Sequence, residues 1–181
     1  RDIEQLGASL TTSNDVLGRS FATSSLFAVG IVNDKLSSVN ISNFNIEAEP
    51  IKNLTFNVGF AYRTVKSAYS GFKLDYFDAS NIIKHQVKQS EVNFKIDYTP
   101  NRKTVGYGVD RPQIDSDFLR ISVLYTEGLK GVLNSDFDYK KLQLYFKKPI
   151  LIGSLGKLKT TFETGKIFGN VPLALMGIIP G

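Results

Sequence analysis

Cysteine is absent from the 181 residues, and histidine and methionine occur once each. Without cysteine there is no disulfide framework and no thiolate metal site. A long hydrophobic run is also missing. The most apolar early stretch, SFATSSLFAVGIV at 20–32, is interrupted by Ser and Thr and falls short of the roughly twenty apolar residues of a membrane helix. It lies too far along the chain to be a signal-peptide core, and it reads equally as a short helix or a strand. Charge of one sign is not gathered anywhere. The net charge of +5 and pI near 9.3 are mildly basic, but lysines alternate with acids, as with Lys95 near Asp97 and Asp138 near Lys140. Nucleic-acid surfaces collect basic residues on one face, so that partner class is set aside.

What is present is a strand period. In 118–169, Leu119, Ile121, Val123 and Tyr125 alternate with Arg120, Ser122 and Thr126. Leu142, Leu144 and Phe146 then oppose Lys141, Gln143, Tyr145 and Lys147, and Leu158, Thr160 and Phe162 oppose Lys157, Lys159, Thr161 and Glu163. Side chains on a strand alternate faces, so this is the two-residue period of sheet, not the 3.6 of helix. The same pattern runs through 39–48, 54–63, 72–77 and 91–98. The EPIKN turn at 49–53 is short enough to make an antiparallel hairpin. No helical pattern separates the strands, which excludes a parallel α/β sheet. The expectation is an all-β antiparallel up-and-down meander over 39–181, after a polar, ambiguous segment at 1–38. The connections 78–89 and 99–117 are expected at the end of the sheet that holds 128–136, with 49–53 and 149–156 at the other. A start at Arg1 and an apolar finish, VPLALMGIIPG, read as a piece of a longer chain.

A hydrophobic fraction of 42% and a mean hydropathy of −0.08 suit a soluble domain. They suit a membrane barrel equally, since barrels are apolar on one face only. Three features favour the barrel. The polar faces mix Asn, Thr, Gly, Ser and Gln with the charges, as a wet lumen does. Tyr62, Tyr98 and Tyr125 end the apolar faces, as in the aromatic girdles at lipid interfaces. Short and long connections alternate. The alternative is a soluble or periplasmic β-sheet module with a ligand between its long loops.

Residues that carry chemistry are sparse. His85, the single imidazole, has no second histidine and no GxSxG nucleophile turn, and reads as a solvated loop residue. Gly106-Tyr107-Gly108 lacks the third glycine and the strand–turn–helix setting of a dinucleotide site. Asp136, Asp138 and Glu127 supply oxygens of the type calcium takes. The order NSDFD fits a turn held by side-chain hydrogen bonds better than an EF-hand. Arg102, Lys103, Arg111, Lys147 and Lys148 are either solvated loop charges or contacts for anionic headgroups. No catalytic, cofactor-binding or metal residue is assigned, and the chain reads as non-enzymatic.

At YTEGLKGVLNSDFDYKKLQLYF and LGKLKTTFETGKIFGNVP, with EPIKNL at 49–54, the sequence resembles a family of large outer-membrane proteins of Bacteroidota. These are labelled carboxypeptidase-like regulatory-domain proteins, of undetermined role. The resemblance covers about the last two-thirds of the chain. It implies a C-terminal β-barrel region preceded elsewhere by a small periplasmic sandwich, distantly similar to outer-membrane assembly barrels. It implies no peptidase activity, because no zinc-protease motif is present. On this reading the partners are outer-membrane lipid and other outer-membrane or periplasmic subunits, and the location is the bacterial outer membrane. The role is that of a subunit or scaffold in envelope biogenesis, transport or surface-protein assembly.

Overall fold

The computed structural model describes residues 2–5, 36–67, 73–77, 81–107, 111–114, 117–172 and 175. The ambiguous segment 20–32 lies outside them. The strands are β1 (Asp2–Gln5), β2 (Leu36–Ile51), β3 (Leu54–Ser67), β4 (Tyr76–Phe77), β5 (Ile83–Lys84), β6 (Gln86–Tyr98), β7 (Arg120–Gly128), β8 (Tyr139–Ile152) and β9 (Gly156–Phe168). Among the described residues, seven of these form one antiparallel sheet in the order β1-β2-β3-β6-β7-β8-β9. The meander expected from the sequence is therefore present. The sheet is open, with β1 and β9 as its edges, so these strands do not by themselves make the closed barrel that was anticipated. Barrels of this kind begin at about eight strands.

Three further expectations are corrected. The strand expected at 72–77 is not part of the sheet in its described residues, 73–77. Instead β3 pairs directly with β6, from Leu54↔Tyr98 to Lys66↔Gln86, and Tyr76–Phe77 pairs with β5 in a separate two-stranded ribbon. The connection from Thr99 onward lies at the opposite end from the one expected, because only β6 separates it from the connection before and only β7 from the one after, and the two ends of a strand lie at opposite ends of the sheet. Thr99 N–H donates to Asn53 O at 2.9 Å, which places this connection beside the 49–53 turn. The KPILI sequence is also strand, not connection. Pro149 pairs with Lys159, and β7 stops at Arg120↔Lys147. On that side Pro149 has no ladder partner to lose, which is where a strand tolerates proline.

We call the end holding 49–53 and 153–155 the turn end, and the end holding 129–138 the loop end. Asn53 takes φ 67, a left-handed conformation that asparagine tolerates. Its N–H donates to Glu49 Oε1 at 2.5 Å. At the loop end β6 outruns β7, and the 129–138 connection takes the vacant place beside it. Leu129 N–H donates to Ser90 O (2.9 Å) and Asp136 N–H to Lys88 O (2.9 Å).

One face of the sheet is covered and the other open, and their polarity exchanges along the strands. Near the loop end the covered face is apolar. Val39, Val65, Val87, Tyr139 and Leu175 form a buried cluster, with Tyr76 and Phe137 packed against it. The open face there carries Asn40, Lys66 and Lys140. Toward the turn end the order inverts. The covered face holds Glu91 (1% exposed), Asn93 (2%), Lys95, Ser122 and Thr126, with Ala61 and Leu124 as apolar exceptions. The open face holds Val58 (48%), Phe94 (39%), Val92, Ile121, Leu142 and Leu144. Register places Phe56 beside Ile96, Val58 beside Phe94 and Phe60 beside Val92. Val123 faces Leu144, and Tyr125 faces Leu142. These apolar residues share one face, as their alternation implies, and no second sheet packs on it among the described residues.

Tyr139 closes the apolar cluster by lying over Gly128, its register partner. A Cβ at Gly128 would sit 2.4 Å from the Tyr139 ring and 2.8 Å from Gln89 Nε2. Only glycine permits that approach. Gly128→Ala is expected to cost about 1–3 kcal/mol, as overpacking does. Gly165→Ala, whose Cβ would be 3.3 Å from the Gln143 side chain, is expected to cost less. Denaturant titrations of the two variants check the order.

Candidate functional site

The sheet's covered polar face is the feature that sequence and structure build together. β6 and β7 pair antiparallel from Glu91↔Gly128 to Tyr98↔Ile121, so their alternate polar residues meet in layers. Nearest the turn end, Arg120 grips Asp97 with Nε and Nη2 at 3.0 and 2.8 Å. Lys95 Nζ stands 3.0 Å from the same carboxylate, and Ser122 Oγ donates to it. In the next layer Thr126 Oγ1 donates to Asn93 Oδ1 at 2.8 Å. Above that, Arg63 Nη2 lies 2.6 Å from Glu91 Oε1, and Tyr139 Oη donates to Glu91. At the top, Gln89 Nε2 donates to the carbonyls of Ser90 and Phe137, both at 3.0 Å. Ion pairs and hydrogen bonds of this kind are what let polar groups stay out of water.

At the turn end the polar face opens into a cleft of about 170 Å³. Glu47, Asn57, Lys95, Asp97, Arg102 and Arg120 are among its lining residues. Arg111 pairs with Glu49 at the same end. At the loop end a wider groove of about 510 Å³ runs past His85, Lys84, Lys88 and Asp136.

The structure scatters the residues that sequence reasoning weighed for chemistry. His85 is exposed, with Nδ1 2.7 Å from Asp75 Oδ1. Gly106 and Tyr107 lie in an exposed turn, and Gly108 is outside the described residues. Asp136 accepts from Lys84 Nζ at 2.6 Å and from Lys88 N–H at 2.8 Å. These bonds, with Ser135 Oγ accepting from Ser90 N–H at 3.1 Å, tie NSDFD to β6 and to Lys84 rather than closing a local turn. Asp138 is exposed, and Glu127 stands 3.8 Å from Lys140. Among the described residues no three acidic or histidine side chains gather as a metal group. Arg102 lines the cleft, Lys103 is exposed, Lys147 is half-buried on the covered face and Lys148 is exposed on the open one. The sequence reading did not single out the Arg63–Glu91–Tyr139 and Lys95–Asp97–Arg120 groups. Their only sequence signal was charge at covered-face positions of neighbouring strands.

Fold and site together define an all-β antiparallel meander with a hydrogen-bonded polar face and an open apolar one. Residues 38–177 match the model of a family described as the C-terminal domain of a family of unknown function, DUF5686, and the chain belongs to that family. No curated protein and no solved structure matches the chain.

Two outcomes test the site. Glu91→Ala strands Arg63 and is expected to cost about 3–5 kcal/mol, the range for breaking a buried pair. Arg63→Met with Glu91→Gln removes both charges and keeps an acceptor for Tyr139. It is expected to lose less than Glu91→Ala by itself, read from chemical unfolding. The second outcome concerns Asp136. Burial raises its carboxyl, but the Lys84 ammonium and the Lys88 N–H outweigh that and hold it below the usual aspartate value. A depressed carboxyl stabilises fully above the unfolded value, near pH 4. The stabilisation is lost as pH falls through the lower folded value. The protection factors of the Asp136 and Lys88 amides, with the intrinsic pH dependence of exchange divided out, are expected to fall over that acid range, and Asp136→Asn is expected to remove the dependence.

Proposed function

We propose that this chain is a non-enzymatic membrane-spanning segment of a bacterial outer-membrane β-barrel, acting as a subunit or scaffold in envelope biogenesis, transport or surface-protein assembly. The exchange of polarity along the strands carries the reading. A water-soluble sheet has one apolar face throughout, turned to its core. Here the apolar face is the covered one at the loop end and the open one at the turn end. That is the order for strands that leave water and enter lipid while keeping a polar lumen on the other side.

The dimensions support it. From Leu54 to Tyr62 the open-face band runs about 27 Å along β3 at roughly 3.4 Å per residue. A tilt of roughly 40° reduces this to about 21 Å, against the ~25 Å apolar band of such barrels. Tyr62 marks its upper limit and Tyr98 its lower one, the places where an aromatic ring spans the boundary between lipid and water; Tyr125 is the last apolar open-face residue of β7, before Glu127. The resemblance to Bacteroidota outer-membrane proteins with a carboxypeptidase-like regulatory domain points the same way. Lipid and further outer-membrane or periplasmic subunits are the partners on this reading. Strands beyond these seven complete the barrel by pairing with the free edges. A soluble ligand-binding module has the turn-end cleft in its favour, but it leaves Val58, Phe94 and Leu144 in water.

The test is depth dependence. Val58→Arg, at mid-band, is expected to cost about 2–4 kcal/mol and Tyr62→Arg, at the margin, about 0–1. Asn57→Arg, which enters the cleft, is expected to be mild. Folding titrations into lipid vesicles, together with heat-modifiable gel migration, measure this. Equal losses at Val58 and Tyr62 would count against a membrane.

A further inference from the structure

The β8–β9 hairpin outgrows the sheet. β7 ends its pairing at Arg120↔Lys147, yet β8 and β9 stay paired to Ile152↔Gly156. A two-stranded finger therefore projects roughly 17 Å past β7 at about 3.4 Å per residue. Gly153 (φ 50) and Gly156 (φ 132) set its turn in backbone conformations that favour glycine. All of its residues from Ile150 to Thr160 are exposed.

Its composition is unusual for a projecting tip. Leu151 is 75% exposed and Leu155 89%, with Ile150, Ile152 and Leu158 also open to solvent. By alternation Ile150, Ile152 and Leu158 belong to the open face, while Leu151 shares the covered side with Lys147, Lys157 and Lys159, so the finger has an apolar side and a basic one that meet at the exposed Leu155. Between 147 and 159 there are four lysines, Lys147, Lys148, Lys157 and Lys159, and no acid. Lys157 pairs with Asp117 in the connection before β7. The other three have no carboxylate partner among the described residues.

We infer that this finger is an interfacial anchor that buries its leucines among acyl chains and sets its lysines on anionic phospholipid headgroups. Ile150, Ile152 and Leu158 continue the open apolar face of Leu142 and Leu144 out to the tip, and four lysines without an acid among them flank it, the composition of a strand end at a boundary between acyl chains and anionic headgroups. Lysine suits the boundary, because its stem lies along apolar surface while the ammonium reaches the headgroups. Basic residues beside a membrane are drawn to anionic lipid. The inference deepens the barrel reading, from which it takes only that lipid lies beside this end of the sheet.

The chain contains no tryptophan, so Leu155→Trp is a unique reporter on the finger and Phe94→Trp a separate one on the apolar band. Each is placed in the full chain with vesicles of phosphatidylcholine alone or mixed with phosphatidylglycerol, some carrying brominated acyl chains. The expected result is a blue-shifted, bromine-quenched Leu155→Trp signal that is stronger with phosphatidylglycerol. Lys148→Gln with Lys159→Gln is expected to abolish that lipid preference. A quenched Phe94→Trp with a water-like Leu155→Trp overturns the finger and leaves the barrel standing. The reverse pair of signals upholds the finger and sinks the barrel. Silence at both sites refutes both. A Leu155→Trp shift that is equal in the two lipids, or that grows with protein concentration without vesicles, also refutes the anchor; the latter marks a second copy as the occupant. Because the chain has no cysteine, Leu155→Cys carrying an environment-sensitive dye repeats the measurement should the tryptophan variant not fold.

Discussion

A buried charge is tolerable only beside its partner, and this rule ties the covered face together. Glu91 is held by Arg63 and Tyr139, from strands on either side of β6. Asp97 is held by Arg120, Lys95 and Ser122. Each pairing works only in the observed register. A slip of one residue between β6 and β7 would turn Glu91, Asn93 and Lys95 onto the open face and Val92, Phe94 and Ile96 onto the polar one. The polar column thus does for this sheet what an apolar core does for most: it penalises every other alignment. Its net contribution to stability is a separate matter, since buried pairs often only offset their desolvation.

The exchange of polarity along the strands gives the molecule two different interiors. At the loop end Val39, Val65 and Val87 bury apolar surface in the ordinary way, and Tyr139 joins the two regimes. Its ring closes the valine cluster while its hydroxyl donates to Glu91. The 129–138 connection also serves the joint, because it pairs with the part of β6 that β7 does not reach. Toward the turn end the same strands change sides. On the proposed function, the loop end stands in water and the turn end in lipid, with the tyrosines near the change.

The free edges are the other consequence of the architecture. Beyond its pairing with β1 at Leu36–Val39, β2 has no partner on its outer side among the described residues, and β9 has none along its length. Unpaired ladders recruit other strands. On the proposed function that tendency is met by closure, with added strands presenting alternating residues whose polar set lies on the covered face. The finger beyond β7 lies on the β9 side of this open seam.

Six of the long strands and their alternation were legible in the sequence, because a two-residue period is a local property and side-chain direction follows from it. The apolar set from Phe56 to Leu144 could be read in the same way. Two things were not legible. The first is pairing: whether 72–77 joins the sheet depends on β3 meeting β6 directly, a competition between distant segments that no local pattern encodes. The end assigned to the connection after Thr99 failed for a simpler reason, since one strand separates it from 78–89 and the two ends of a strand cannot share one end of the sheet. The second is what meets on the polar face. Alternation states that Glu91 and Val92 point apart, and the mixed polar faces suggested a wet lumen, but no local pattern says which groups come together there. Only the tertiary arrangement brought Arg63 and Tyr139 to Glu91 and left that carboxylate 1% exposed while Val92 stays open.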